Sequence, residues 1–324
     1  MLSEKVVVSV VVVNWNGRSW LAQCLPSLQA QSFREFEIIV VDNGSRDGSV
    51  NWLNKNWPQV RVISLPQNTG FAHANNVGIS AARGEYIVAL NNDTRVGPDW
   101  LAAMVTAVST APNIGMIACQ IRIWDEPHLL DSAGIEVDQA GIAWNRGWRQ
   151  PVTTATTPCE VFGPSGAAAL YRRIMLEQIG FFDTDYFAYY EDVDLAWRAQ
   201  KAGWRCLYTP AACVWHKHSA SARRTPTYKL FLLGRNKWWT ILKNYEWPAL
   251  VKALPLILAY DLLTMAGQVW QSRSIAPING RLAAIKTLHH AIRKRPPATH
   301  PVTLSPVTPF WQLHHKTSHL KPNG

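Results

Sequence analysis

The chain has 324 residues, 48% of them hydrophobic and 17% charged, with no long acidic, Gly/Ser or Gln/Asn tract. That composition excludes general disorder and bounds the chain to one large domain with an appendage, or to two domains. The net charge of +10 is uneven: from Lys217 onward 16 Lys/Arg face only Glu246 and Asp261, a balance of +14, whereas the preceding 216 residues balance at −4. A basic surface suits nucleic acid, anionic lipid or phosphorylated substrates, and charge alone does not choose among them.

In chain order, short β-rich runs alternate with helical patterns, the mark of βαβ units and a mainly parallel α/β sheet. Strands are predicted at 6–13, 37–41, 60–65 and 86–90, and helices near 19–30, 48–57, 72–82 and 98–110. The opening "KVVVSVVVVNWNG" is apolar on both faces, as a central parallel strand should be, and is too short for a secretion signal. Five scattered cysteines without a CxxC read as reduced, buried thiols of a cytosolic protein rather than a zinc site. Between 114 and 166 the pattern loosens around a strand "GMIACQIRI" and a hairpin near 141–148.

Beyond Lys217 lies a Tyr/Trp/Lys/Arg-rich helical region. Trp238 and Trp239 suit either a membrane interface or a core. The apolar stretch 249–270 is interrupted by Lys252, Pro255 and Asp261 and reads as not spanning a bilayer. In "GRLAAIKTLHHAIRKR", Leu282, Ile285, Leu288 and Ile292 fall at helical spacing among Arg281, Lys286, Arg293, Lys294 and Arg295, an amphipathic basic helix suited to an anionic surface. The division is therefore 1–221 catalytic, 222–295 a helical, membrane-associating extension, and 296–324 a poorly ordered tail.

Each of the four predicted strands ends in a polar cluster: "NWNG", "DNGSRDGS", "PQNTGFAHANN" and "NNDT". Open α/β sheets bind ligands at such ends. There is no Walker sequence and no GxGxxG, so phosphate must be handled otherwise. Asp93 in "LNNDT" is a candidate ligand for Mg²⁺ or Mn²⁺, with a turn cap as the competing reading.

The segments "VVVVNWNG", "VVDNGSRDGS", "NTGFAHANNVGI", "ALNNDT", "YYEDVDLAWRAQKAGWR" and "VWHKHSAS" together resemble the inverting glycosyltransferases of family 2, and within them a rhamnosyltransferase-type branch. The resemblance spans about residues 6–221 and implies the GT-A fold. It implies that Asp42 meets the base of a nucleotide sugar, with Asn14 and Asn16 in the same pocket, and that Asn68, Gly70 and Asn75 approach the nucleotide. Asp93 matches the second Asp of the family's metal motif. The first position is Asn91, followed by Asn92, and His216 matches a further metal ligand, with His218 competing. Asp192 matches the catalytic base, Glu191 a group that orients acceptor or base, and Asp194 a helix-start residue. Gly166 allows close approach of a sugar, and Arg172 or Arg173 meets a phosphate, unless that segment only packs at a strand edge.

The expected activity is transfer of a sugar, best matched by dTDP-rhamnose, to a lipid-linked or cell-surface polysaccharide precursor at the inner face of the cell membrane. Two other readings compete. A sugar-phosphate nucleotidyltransferase would need a Gly-rich phosphate loop where "NWNGRSW" has one glycine. A nucleic-acid-binding protein would need a recognised motif, and none is present, so no nucleic-acid partner is expected. A non-catalytic relative remains conceivable on Asn91 alone.

Overall fold

Side chains alternate along a strand, and here both faces are covered. Val8, Val10 and Val12 enter one apolar cluster and Val11 the other, all without exposed surface. Ile39, Val41, Ile87 and Ala89 join Val11, whereas Val40, Val88 and Leu90 join the remaining valines. These residues sit on three neighbouring strands of a computed structural model that describes residues 6–217 and 226–309.

The chain runs β1 (Val8–Asn14), α1 (Arg18–Gln29), β2 (Phe36–Asn43), α2 (Ser49–Asn56), β3 (Arg61–Leu65), α3 (Phe71–Ala81), β4 (Tyr86–Asn91), β5 (Thr94–Val96) and α4 (Trp100–Val108). There follow β6 (Ile114–Ile123), β7 (Glu126–Ser132), a hairpin of β8 (Ile135–Val137) and β9 (Ala143–Asn145), β10 (Cys159–Val161), β11 (Ala168–Arg172) and α5 (Arg173–Ile179). Then come α6 (Glu191–Lys201), β12 (Arg205–His216), α7 (Pro226–Asn244), α8 (Trp247–Ser272), α9 (Ala276–Lys286) and α10 (Leu288–Arg293).

The main sheet is ordered β10-β12-β6-β11-β4-β1-β2-β3, with β5 beside β12 and β7 beside β6. Its first half is parallel, β11 runs antiparallel between β4 and β6, and β6 and β12 are parallel. β12 was not anticipated: Pro210 lacks the N–H a ladder needs, and the register shift between Thr209 and Cys213 lets the strand pass it.

The C-terminal helices share the core of the sheet domain. Leu233, Trp239, Ile241, Tyr245 and Ala284 belong to the same cluster as Ile39 and Val41. Trp239 is buried in the core and donates to Thr287 at 3.1 Å, and the half-buried Trp238 packs against that core and donates to Asp261 at 2.8 Å. α8 continues through Pro255, and its 26 residues are long and apolar enough to cross a membrane by length and composition alone. Its buried residues are Leu250, Ile257 and Asp261. Asp261 accepts from Lys237 at 3.2 Å and from Arg281 at 2.8 and 2.9 Å, so the charge that interrupts the apolar run fastens α8 to α7 and α9.

Two expectations are corrected here. The amphipathic basic helix is two helices that meet at Thr287, and several of its cations are structural. Arg281 is buried on Asp261, Lys294 pairs with Asp183 and Asp185, and Arg295 donates to the carbonyls of Leu242 and Tyr245. Residues 296–309, expected within a poorly ordered tail, form a strap. Thr299 and His300 donate to the Lys201 carbonyl at 3.0 Å, and Thr308 donates to Asp138 at 3.2 Å.

Candidate active site

Register places the polar strand ends side by side: Asn14 lies opposite Asp42, and Val13 opposite Asn91. They edge a cavity of about 340 Å³ lined by Trp15, Asn43, Asn68, Gly70, Asn91, Asn92, Asp93 and Gly166, and by Glu191, Asp192 and His216. Of the residues expected at the nucleotide, Asn14, Asn16, Asp42 and Asn75 do not line this cavity. Asp42 is 1% exposed and accepts from Asn14 at 2.9 Å and from the Ser45 N–H at 2.9 Å, while Asn14 accepts from Asn92 at 2.7 Å. These two residues brace the wall from behind.

Asn16 accepts from the Arg46 N–H, and Asn75 donates to the Phe71 carbonyl within α3. Asn43 is the wall residue of β2, donating to Asn68 and to the Gly70 carbonyl. Gly70 has φ +88°, and a Cβ there would lie 2.6 Å from the Phe187 carbonyl oxygen, so only glycine lets the two loops meet.

His216, at the end of β12, stands between two carboxylates. Its Nδ1 is 2.6 Å from Asp131 and its Nε2 3.3 Å from Asp93, with the Asn91 amide 3.4 Å away. Burial opposes a charged imidazole, but Asp93 and Asp131 outweigh it and raise the His216 pKa to about 10. His218 lies outside the described residues. Arg172 and Arg173, candidates for phosphate, instead donate to carbonyls: Arg172 to Ile114 and Val108, Arg173 to Gly84 and Ala82.

The loop entering α6 holds three non-glycine residues at positive φ, Phe187 (65°), Tyr189 (68°) and Tyr190 (70°), a conformation that costs energy and persists only when its surroundings enforce it. Asn236 of α7 does the enforcing. Fully buried, its amide donates to the carbonyls of Tyr186, Ala188 and Tyr189 at 3.0, 2.9 and 2.7 Å. Asn236→Leu is therefore expected to cost about 1–3 kcal/mol through orphaned carbonyls and to lower turnover with it. Denaturant unfolding and steady-state rates on one preparation check this; unchanged turnover would show that the loop does not need the clamp.

The three acids that open α6 divide by direction. Residues two apart are about 200° apart around a helix, so Asp192 and Asp194 point opposite ways. Asp192 faces the cavity, accepting from the N–H of Gly166 at 2.9 Å and of Val193 at 2.8 Å. Burial raises its pKa, and those N–H groups restrain the rise. Glu191 is 5% exposed, and its Oε2 has no hydrogen-bond partner among the described residues. Burial, then the Asp192 charge, push Glu191 well above the carboxylate range. Asp194, expected as a helix-start residue, is wholly buried on Arg198, Lys243 and Asn244, each at 2.9 Å.

The family model described as "Glycosyl transferase family 2" matches residues 9–180. The chain belongs to glycosyl transferase family 2. This glycosyltransferase is 32% identical to an N-acetylglucosaminyl-diphospho-decaprenol L-rhamnosyltransferase of Mycobacterium tuberculosis (strain CDC 1551 / Oshkosh), over 72% of this chain and 86% of that one. Its fold, the GT-A fold, matches residues 1–349 of S. aureus TarS at a TM-score of 0.59 and 17% identity, covering 88% of this chain and 81% of that one. It also matches the mannosyltransferase PcManGT from Pyrobaculum calidifontis, solved with GDP-Man and Mn²⁺, at 0.54 and 18% identity, covering 90% and 84%.

The glycosyltransferase's residues fit a divalent cation. Among the described residues no group of three or more His, Cys, Asp or Glu could hold an ion by itself. A carboxylate, an imidazole Nε2 whose Nδ1 is oriented by Asp131 and which would lose its proton as the ion binds, and an amide oxygen are donors of the kind such a cation takes. Asp93, His216 and Asn91 would hold it, and it would supply positive charge for a departing diphosphate. Sequence reasoning missed Asp131, Asn43 and Trp15, together with Tyr228 and Lys229, which α7 brings to the cavity wall.

Proposed function

We propose that this enzyme moves a sugar, with inversion, from a nucleotide-diphosphate sugar to a hydroxyl of a lipid-linked or cell-surface polysaccharide precursor. The observation that carries the reading is the cavity itself, whose lining includes Asp192 together with Asp93 and His216. Asp192 takes the proton of the acceptor hydroxyl as its oxygen bonds to the anomeric carbon, and the bond from that carbon to the nucleoside diphosphate breaks. Glu191, beside Asp192 in the cavity lining, orients the acceptor. The donor is dTDP-rhamnose, a choice supported by the similarity to a rhamnosyltransferase, and the cation is Mg²⁺ or Mn²⁺. The asparagine at 91 brings no charge, so the cation should bind more weakly than at a pair of aspartates.

The test is a panel of UDP-, dTDP- and GDP-sugars, measured for binding and turnover with Mn²⁺, with Mg²⁺ and after chelation. One donor should bind in a cation-dependent way and be turned over. Binding of none with either cation would remove the transferase reading.

Membrane association at the cytoplasmic face belongs to the same proposal. Val251, Leu258, Leu262, Trp270, Ile275 and Ile285 are exposed on α8, α9 and the turn between them, and Lys252, Arg273, Lys286 and Arg293 are exposed among them. Exposed apolar side chains and exposed cations on the same helices suit an anionic bilayer surface. Replacing Leu258, Leu262 and Trp270 together by serine should weaken co-sedimentation with vesicles containing phosphatidylglycerol by about tenfold or more. Turnover of a water-soluble acceptor should not change. Equal vesicle binding by the variant would remove this surface from consideration.

A further inference from the structure

The described residues lining the cavity include four carboxylates, Asp93, Asp131, Glu191 and Asp192, and a single lysine or arginine, Lys229. It comes from the first turns of α7, in a part of the chain whose basic character pointed to lipid. Lys229 is 3% exposed, and its ammonium lies 5.8 Å from the centroid of the Tyr189 ring. Burial lowers its pKa to about 8, against the opposing pull of Asp131. Tyr189 in turn feels the charges of Glu191 and Asp93. Lys229 thus lines the same cavity as Asp93, Asp131 and His216, the residues beside which a phosphate-binding cation would sit.

The placement is rigid. α7 is fastened to the loop before α6 by Asn236 and to α6 itself by Lys243 and Asn244, all buried. A lysine is a point charge suited to phosphate. In a glycosyl transfer, negative charge grows on the diphosphate as its bond to the anomeric carbon breaks. A fixed cation in the cavity acts on that growing charge without reorganising.

We propose that Lys229 binds the diphosphate of the donor and stabilises it as it leaves, a catalytic residue contributed by α7. The assignment rests on the transferase reading above. The test compares nucleoside diphosphates with the matching monophosphates by titration calorimetry on the full chain with Mn²⁺ present. Parent, Lys229→Met, Lys229→Gln and Lys229→Arg are measured together, and the glutamine variant carries the comparison if the methionine variant does not fold.

Loss of the charge should weaken diphosphate binding by roughly tenfold to a hundredfold, the scale of a hydrogen bond to a charged group. Monophosphate binding should be little changed, and arginine should restore most of the preference. In turnover, kcat should fall as well as donor affinity. An unchanged ratio of diphosphate to monophosphate affinity overturns the proposal. So does an effect confined to the KM of a diphosphate-bearing acceptor, which would place Lys229 on the other substrate. Absence of any nucleotide binding by the parent overturns the transferase reading and this assignment with it.

Discussion

Asp192→Asn is expected to lower kcat by about 10²–10⁴-fold, the usual contribution of a positioned general base, while donor binding stays close to that of the parent. The amide has the shape of the carboxylate and still accepts one hydrogen bond, but it cannot take a proton. It also cannot satisfy both backbone donors, Gly166 and Val193, that hold the two oxygens of Asp192. Gly166 is suited to this contact, since a Cβ there would stand 3.3 Å from the Asp192 oxygen.

The pH profile supplies a second signature. Burial raises the Asp192 pKa, and a base works only when ionised. The parent's kcat/KM should therefore rise with pH through a midpoint above the ordinary aspartate value of about 3.9. The residual rate of the variant should lack that acid limb. A variant that retains most of the parental rate, or that shows the same acid limb, would move the base elsewhere in the cavity.

The parallel half of the sheet was legible because β1, β2 and β4, covered on both faces, read as apolar runs between polar turns, and the edge strand β3 as a short β-rich run between such turns. The observed β1 to β4 accordingly begin and end within two residues of expectation. The strand-end polar clusters were legible for the same reason, since loops at that edge have no core to fill. Which residue of each cluster faces the cavity was not legible. Asp42 and Asn43 are adjacent in β2 and alternate in direction, but nothing in the sequence decides which of the two directions meets the cavity and so makes Asn43 the wall and Asp42 its brace.

Which cations of the C-terminal third are structural was illegible for a different reason. A lysine on a helix looks like surface charge until its counterion is known. The counterions of Lys237 and Lys243 are Asp261, Asp183 and Asp194, which lie 24 to 60 residues away in sequence. Asp131 was missed because β7, "EPHLLDS", carries too little β-branched residue to announce a strand.

Asp194→Asn carries the second large effect, and it falls on stability. Asp194 has no exposed surface and is surrounded by Arg198, Lys243 and Asn244. Burial alone would raise its pKa, but Lys243 and Arg198 hold it well below the carboxylate range. Removing the charge leaves Lys243 with Asp183 and Arg198 with the carbonyls of Ile179, Gly180 and Phe181. These groups remain buried with less to balance them. Breaking such a pair costs about 3–5 kcal/mol.

A depressed folded-state pKa fixes the direction of the pH dependence. The contribution of Asp194 is fully present above the unfolded value of about 3.9 and is lost as pH falls through the lower folded value. The gap in unfolding free energy between parent and variant should thus be widest near neutrality and should narrow in acid. Denaturant unfolding of both proteins across that range measures it. A gap that does not narrow would mean that the amide's packing, rather than the lost charge, sets the cost. The same substitution also loosens α7 from α6, the contact that sets Lys229 against the loop preceding Asp192. Donor binding by the folded variant should therefore weaken together with its stability, whereas a purely local cost would leave that binding untouched.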